Sequence, residues 1–320
     1  MNQKTIAGLL VLSCFCGGAM AHAQEKRSSE KKKPDRDHIS INGRSLSWEH
    51  TNSEDGRNVT LSGRNAQFND DYTDVESIAV GGYFRLSEER GGAIQRLEIT
   101  PTADGQLKRL YTVRGEVRPF DEAARQWLAR LLSESVAGSG FDAEARVARL
   151  LKRGGPSAVL AEMARLKSDY ARRVYSSMLL AQGNLSADQL AKLLTQNSRA
   201  ISSDYEKATL LIEVLKNNLT DRGVRAAFFT TLDTLSSDYE RGRVLAVLLK
   251  RDDLATETIM LALKSVRGMS SDFEKANVLI RASKTGAANE SVRDAIIEAA
   301  HALSSDHERG RVLTAATRKL

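Results

Sequence analysis

Cysteine, proline and tryptophan are scarce in this chain of 320 residues, which holds two, four and two of them. Both cysteines, Cys14 and Cys16, fall within the first 23 positions. The rest of the chain therefore has no means of forming a disulfide, a thiolate metal site or a cysteine nucleophile. No proline follows Pro156, so the second half lacks the residue that breaks helices. A Gly-rich phosphate loop, a Gly-x-Ser-x-Gly turn and an HExxH pair are all missing. Charge of one sign does not dominate. The formal net charge is +6, with acids and bases interleaved, which does not demand a nucleic-acid partner. Apart from residues 6–20, no apolar run approaches the length of a membrane span.

What is present is a short phrase, five times over. Ser168-Asp169-Tyr170, Ser203-Asp204-Tyr205-Glu206, Ser237-Asp238-Tyr239-Glu240, Ser271-Asp272-Phe273-Glu274 and Ser305-Asp306-His307-Glu308 align, their Asp residues 35, 34, 34 and 34 positions apart. A fixed period of this size marks an α-solenoid, in which each unit buries its apolar face by stacking on the next. Ser stands three residues before Glu in four copies, the spacing of a capping box, while Ala171 replaces the Glu in the first. Asp at the first helical position suits the positive end of the helix dipole. Leu210, Leu211, Val214 and Leu215 form an apolar stripe, which Val244, Leu245, Leu248 and Leu249 repeat. A small residue follows the basic position (Ala208, Gly242, Ala276, Gly310) and suits close helix approach. A second helix completes each unit, with Val224, Ala227, Phe228, Leu232 and Leu235 as one stripe and Val292, Ala295, Ile296, Ala299 and Leu303 as another. Residues 141–167 read as a shorter first unit, with Pro156 near the start of its second helix. The Trp, Leu-Gly and Pro positions of tetratricopeptide repeats are missing. The expectation is a HEAT-like solenoid of about five 34-residue helical hairpins over residues 141–320.

Residues 1–23 read as a secretory signal peptide: Lys4, an apolar stretch from Ile6 to Met20, and small-x-small sites at Ala19-Met20-Ala21 and Ala21-His22-Ala23. Lipid attachment at Cys14 is the alternative, though Val11-Leu12-Ser13-Cys14 only loosely resembles a lipobox. Cleavage takes the basic count from 47 to 46 against 41 acids. The mature chain then has no transmembrane segment, and its expected location is the periplasm or the medium. Residues 24–37 carry no aliphatic or aromatic side chain apart from the Pro34 ring, which predicts a disordered linker.

Over residues 38–119 the period becomes two. Leu46, Trp48 and His50 alternate with polar residues, as do Val59 and Leu61, then Leu97 and Ile99. Ser77 to Val80, Gly81-Gly82 and Tyr83 to Leu86 read as a hairpin. A turn at Asp104-Gly105 precedes Leu110, Tyr111 and Val113. This predicts a small antiparallel β domain of five to seven strands, ended by Pro119. Residues 120–140 predict a connecting helix with Ala124, Trp127, Leu128 and Leu131 on its apolar face. The fold class is α+β.

The densest acidic cluster, Asn69-Asp70-Asp71-Tyr72-Thr73-Asp74, lacks the Gly and the spacing of an EF-hand and reads as a solvated turn. His22, His38, His50, His301 and His307 form no close ligand pair. No metal or cofactor is expected. Two columns of the solenoid are candidates for partner binding. The aromatic one is Tyr170, Tyr205, Tyr239 and Phe273, ending in His307; it lies away from the apolar stripe, as a line of rings suited to a peptide or sugar. The competing reading packs each ring on a neighbouring turn or unit. The basic column is Arg172, Lys207, Arg241, Lys275 and Arg309, with Lys207, Arg241 and Lys275 as candidate contacts. Pairing with the Asp three residues earlier, or laying the stem along the apolar stripe, competes with that role.

The SSDYE phrase followed by Lys or Arg, a small residue and Val-Leu resembles helical repeats of uncharacterised exported bacterial proteins. Phe68 to Ile78 with Gly81-Gly82-Tyr83 resembles their N-terminal β region. The resemblance spans about residues 40–318 and extends to extracytoplasmic regions of some BlaR-type peptidases, whose zinc motif and membrane helices this chain lacks. It implies an architecture and a compartment. The expected function is an exported, non-enzymatic scaffold for a protein or peptide of the cell envelope. The alternatives are a hydrolase or carbohydrate-active enzyme, with its site in the β domain or domain junction, and an envelope-stress sensory module.

Overall fold

The computed structural model describes residues 36–42, 45–54, 56–216, 219–251, 253–286 and 289–317. The signal peptide, Cys14 and all of the linker except Arg36 and Asp37 lie outside them.

Among the described residues, seven strands come first: β1 (Arg36–Asn42), β2 (Ser45–Glu54), β3 (Arg57–Phe68), β4 (Val75–Arg90), β5 (Ala93–Pro101), β6 (Leu107–Val113) and β7 (Glu116–Arg118). Each pairs antiparallel with the next, so spatial order equals chain order. Two-residue turns with both φ values positive set this meander: Gly91-Gly92 joins β4 to β5, and Arg114-Gly115 joins β6 to β7.

Gly81-Gly82 does not turn a hairpin. It lies inside β4, and both halves of β4 pair with β3: Arg64 opposes Tyr83, and Ala66 opposes Ile78. Residues 79–82 bulge from the ladder, which tandem glycines permit as readily as a turn. Gly82 has no room for a side chain, since a Cβ would meet the Arg64 carbonyl oxygen at 2.4 Å.

Alternation places Val59, Leu61, Phe84, Leu86, Leu97, Ile99 and Tyr111 in one buried face. The helix α1 (Glu122–Ser139) covers it through Trp127, Leu128, Leu131, Leu132 and Val136. Full burial of each such side chain contributes about 1.5–3 kcal/mol. Asp121 starts α1 by accepting from the Ala124 amide. This helix is therefore part of the sheet's core as well as its exit.

The segment from Asn69 to Asp74 is not a plain solvated turn. Tyr72 is 1% exposed, adopts φ 53° and stacks on Phe68. Its hydroxyl donates to Asp142, while the guanidiniums of Arg146 and Arg149 lie 4.6 and 5.3 Å from its ring centre. Burial, then the Asp142 charge, pushes the Tyr72 hydroxyl pKa far up and keeps it a donor. Composition suggested solvent because the groups that bury Tyr72 arrive from a distant helix.

Among the described residues, ten helices follow α1: α2 (Ala143–Met163), α3 (Asp169–Gln182), α4 (Ala187–Ala200), α5 (Asp204–Val214), α6 (Arg222–Leu232), α7 (Asp238–Leu248), α8 (Thr256–Arg267), α9 (Asp272–Thr285), α10 (Glu290–His301) and α11 (Asp306–Thr317). The first is broken: its backbone leaves helical geometry at Gly154 and Gly155 and resumes at Pro156. From α3 on, odd-numbered helices pack on one another in one layer, and even-numbered helices form a second. A continuous, mainly aliphatic core runs between the layers. The whole is α+β, with a sheet-and-helix half and a layered helical half.

The repeated phrase starts every odd-numbered helix from α3. Ser168, Ser203, Ser237, Ser271 and Ser305 each accept from the amide three residues on. Each such cap contributes about 1 kcal/mol. The reciprocal Glu arm expected from the spacing is replaced. The Asp169 carboxylate accepts from the amides of Ser202 and Ser203 at 2.9 and 2.8 Å. Asp204 does the same for Ser236 and Ser237, and Asp238 for Ser270 and Ser271. Asp272 accepts from Ser305 at 2.8 Å. A neighbouring unit's carboxylate thus holds the amide that the Glu would have taken. A full capping box forms instead at Ser186 and Gln189.

Candidate functional site

From α3 on, the second residue of each odd-numbered helix is exposed. Tyr170, Tyr205, Tyr239 and Phe273 are accordingly 42, 56, 63 and 55% exposed. They do not bury in the next unit. Three of the four rings carry a guanidinium: Arg173 at 5.0 Å from the centre of Tyr170, Arg243 at 5.0 Å from Tyr205 and Arg311 at 5.8 Å from Phe273. At exposed sites such contacts are worth about 0.5–1 kcal/mol. Each guanidinium also meets a carboxylate: Arg173 pairs with Glu206 at 2.8 Å, Arg243 with Glu240 at 2.8 Å, and Arg311 with Glu308.

The basic column has a different fate. Lys207 and Arg241 are 4 and 7% exposed. Lys207 Nζ donates to Thr234 Oγ1 at 3.0 Å. Arg241 donates to the carbonyls of Asp233 and Leu235. Arg172 reaches the carbonyls of Leu166 and Lys167, and Arg309 that of Leu303. The arginines close the free carbonyls just before their own helix, where the chain leaves the preceding one. Burial holds the Lys207 ammonium below its usual range, against the pull of Asp204 and Asp169. Lys207 and Arg241 therefore leave the set of partner contacts. Lys275 is largely shielded and sits 3.7 Å from Asp272 on its own helix. Three residues after Asp, the side chain turns back toward the core, which is why this column cannot double as a docking face.

Along the outer face of α7, α9 and α11 runs a groove of about 420 Å³, lined among others by Tyr239, Gly242, Arg243, Glu274, Asn277 and Arg281. Gly242 is its bare floor; a Cβ there would come within 3.0 Å of the Glu274 carboxylate. Burial, then the Asp238 charge, raises the Glu274 pKa.

A second cleft, of about 430 Å³, lies on the sheet beside α1 and is lined by Arg57, Glu88, Arg90, Gln95 and Arg130 among others. Glu88 is 9% exposed and accepts from Trp127 Nε1 at 2.7 Å, from Arg57, and from Arg130 at 3.3 Å. Burial pushes its pKa up, but the Trp127 hydrogen bond and the two guanidiniums outweigh it and hold the carboxyl below its usual range. A general acid needs the opposite shift. The cluster ties α1 to the sheet.

Among the described residues, no three His, Cys, Asp or Glu side chains are placed to hold a metal, and no helix is long and apolar enough to cross a membrane. In the Asn69–Asp74 segment, the Asn69 side-chain oxygen takes the amides of Thr73 and Asp74, and Asp74 meets Arg109 at 3.1 Å. The site residues that sequence reasoning missed are Arg173, Arg243, Arg311 and Glu274. Arg243 and Arg311 stand fifth after their Asp, in a column that also holds Thr209 and Asn277; reading that column beside the aromatic one is the signal that finds them. Comparison with protein families, with curated proteins and with solved structures finds no match to this chain.

Proposed function

We propose that this chain is an exported, non-enzymatic scaffold that binds a protein or peptide of the cell envelope. In this reading the layered helices are about five HEAT-like hairpins, and the binding face is the outer surface of the odd-numbered helices. The observation that carries it is the row of rings at Tyr170, Tyr205, Tyr239 and Phe273, each roughly half in water while the core behind them is closed. Exposed aromatic and arginine side chains are the groups most enriched at interface hot spots. A stack of like units repeats them along an extended surface, which suits a long partner. Export rests on the composition of residues 1–23.

The test is crosslinking in the native envelope followed by mass spectrometry. The wild type is expected to capture a reproducible partner. A variant with all four rings replaced by alanine is expected to lose at least about nine tenths of it while keeping its helical content and melting temperature. No reproducible partner, or equal capture by the folded variant, refutes the proposal.

A further inference from the structure

One unit departs from the pattern of ring, guanidinium and carboxylate. In α7 the fifth residue after Asp238 is Arg243, which lies over Tyr205 of the preceding odd-numbered helix and pairs with Glu240 of its own. In α11 the equivalent Arg311 lies over Phe273 and pairs with Glu308. In α9 that position is Asn277. Two groups are thereby left without their cation. Among the described residues, no guanidinium lies over Tyr239, and no ion pair forms at Glu274.

Elsewhere the fold repairs such a loss. In α5 the fifth residue after Asp204 is Thr209, and there Arg173, fourth after Asp169, covers Tyr170 and pairs with Glu206. The fourth residue after Asp238 is Gly242, which has nothing to offer. The space stays open as the groove between α7 and α9. Glu274 leans over the bare glycine, partly desolvated and unpaired.

We infer that this notch receives a guanidinium from outside, carried by an arginine of an extended peptide. It would stack on Tyr239 and pair with Glu274, as Arg243 and Arg311 do in their own units. A planar, delocalised cation does both at once, which an ammonium does less well. Glu240 and Glu308 already offset Arg243 and Arg311, so those neighbours do not expel it. Further along the groove, Arg281 and Lys284 make no ion pair among the described residues. They stand one and two turns beyond Asn277, about 6 and 10 Å along the helix axis. An extended chain advances about 3.3 Å per residue. Side chains of an extended chain share a face at every second residue, so the fitting peptide carries acidic side chains two and four positions from its arginine, the second within reach of the long Lys284 stem. This inference rests on the scaffold reading and names the chemistry of its partner.

Calorimetric titration of the full mature chain tests it with the capped peptide Ala-Arg-Ala-Asp-Ala-Glu and the same peptide with citrulline for arginine. The arginine peptide is expected to bind at least about tenfold tighter, a contrast that Glu274→Gln or Tyr239→Ala removes. Asn277→Arg supplies the cation in cis but gives up the hydrogen bond that Asn277 Oδ1 accepts from Arg311 at 3.2 Å, so it is expected to abolish binding while lowering the melting temperature by no more than about 4 °C. Equal binding of the two peptides, or wild-type binding by Asn277→Arg, overturns the inference. Envelope crosslinking separates the two readings. Partner capture that depends on the four rings but not on Asn277→Arg keeps the scaffold and rejects the notch. A wild type that captures no partner rejects the scaffold itself.

Discussion

In the sheet half, Phe68, Tyr72, Phe84, Tyr111 and Trp127 are buried in one core, their rings touching in stacked, tilted and edge-on pairs. In the helical half, Tyr170, Tyr205, Tyr239 and Phe273 stand in water, while Leu, Val, Ile and Ala close most of the core and Tyr175, Phe228 and Phe229 are the rings inside it. The same side-chain class thus does two jobs. A single sheet covered by one helix has a thin core, and rings that bury 150–250 Å² each (roughly) fill it efficiently. Stacked helices approach closely through small residues such as Ala208 and Ala276 and have little room for rings. The outward rings add little to the core, and the scaffold reading rests on that.

Removing a ring from each half tests this contrast most directly. Phe84→Ala is expected to cost about 3–5 kcal/mol in urea unfolding, as a cavity in a packed core does. A cost below about 1 kcal/mol would mean that the sheet core does not depend on its rings.

A middle-sized effect is expected where the helical half takes its stability from polar contacts instead. Asp238→Ala removes one carboxylate from two amides and is expected to cost about 1.5–3 kcal/mol. Hydrogen exchange is expected to quicken at the amides of Ser270 and Ser271, and not at the start of α7 itself. Faster exchange spread evenly over both helices would show that the Asp acts through its own helix dipole, as the sequence alone suggests.

The smallest effect belongs to the outward rings. Tyr205→Ala is expected to cost about 0.5–1 kcal/mol, the loss of one exposed cation–π contact. A cost above about 1.5 kcal/mol would erase the contrast and return the aromatic column to a packing role.

What the sequence shows and hides follows the range of the interactions. The serine caps, the apolar stripes and the outward placement of the rings depend on neighbours within one or two turns, and spacing alone reveals them. The Asp carboxylates were legible as helix starters but not as links, because their acceptor geometry closes on Ser amides one unit further on. Tandem glycines at Gly81-Gly82 gave the wrong connection, since nothing local distinguishes a turn from a bulge opposite β3. At the candidate site, the rings were legible and the guanidiniums were not, because Arg243 and Arg311 serve a ring on the preceding odd-numbered helix. The burial of Lys207 and Arg241 is hidden for a related reason: helical spacing alone does not show the carbonyls and hydroxyl that wait beneath them.

The Asp-to-amide links all run in one direction, from each unit to its C-terminal neighbour. A unit that loses the neighbour after it bares the apolar face the two shared and returns a carboxylate to water, but keeps the polar contacts of its own helix start. A unit that loses the neighbour before it is left with two uncapped amides where its helix begins. Through these links, loss of a unit is therefore felt at the helix start of the unit after it and not at that of the unit before it. In these polar contacts the stack has a grain.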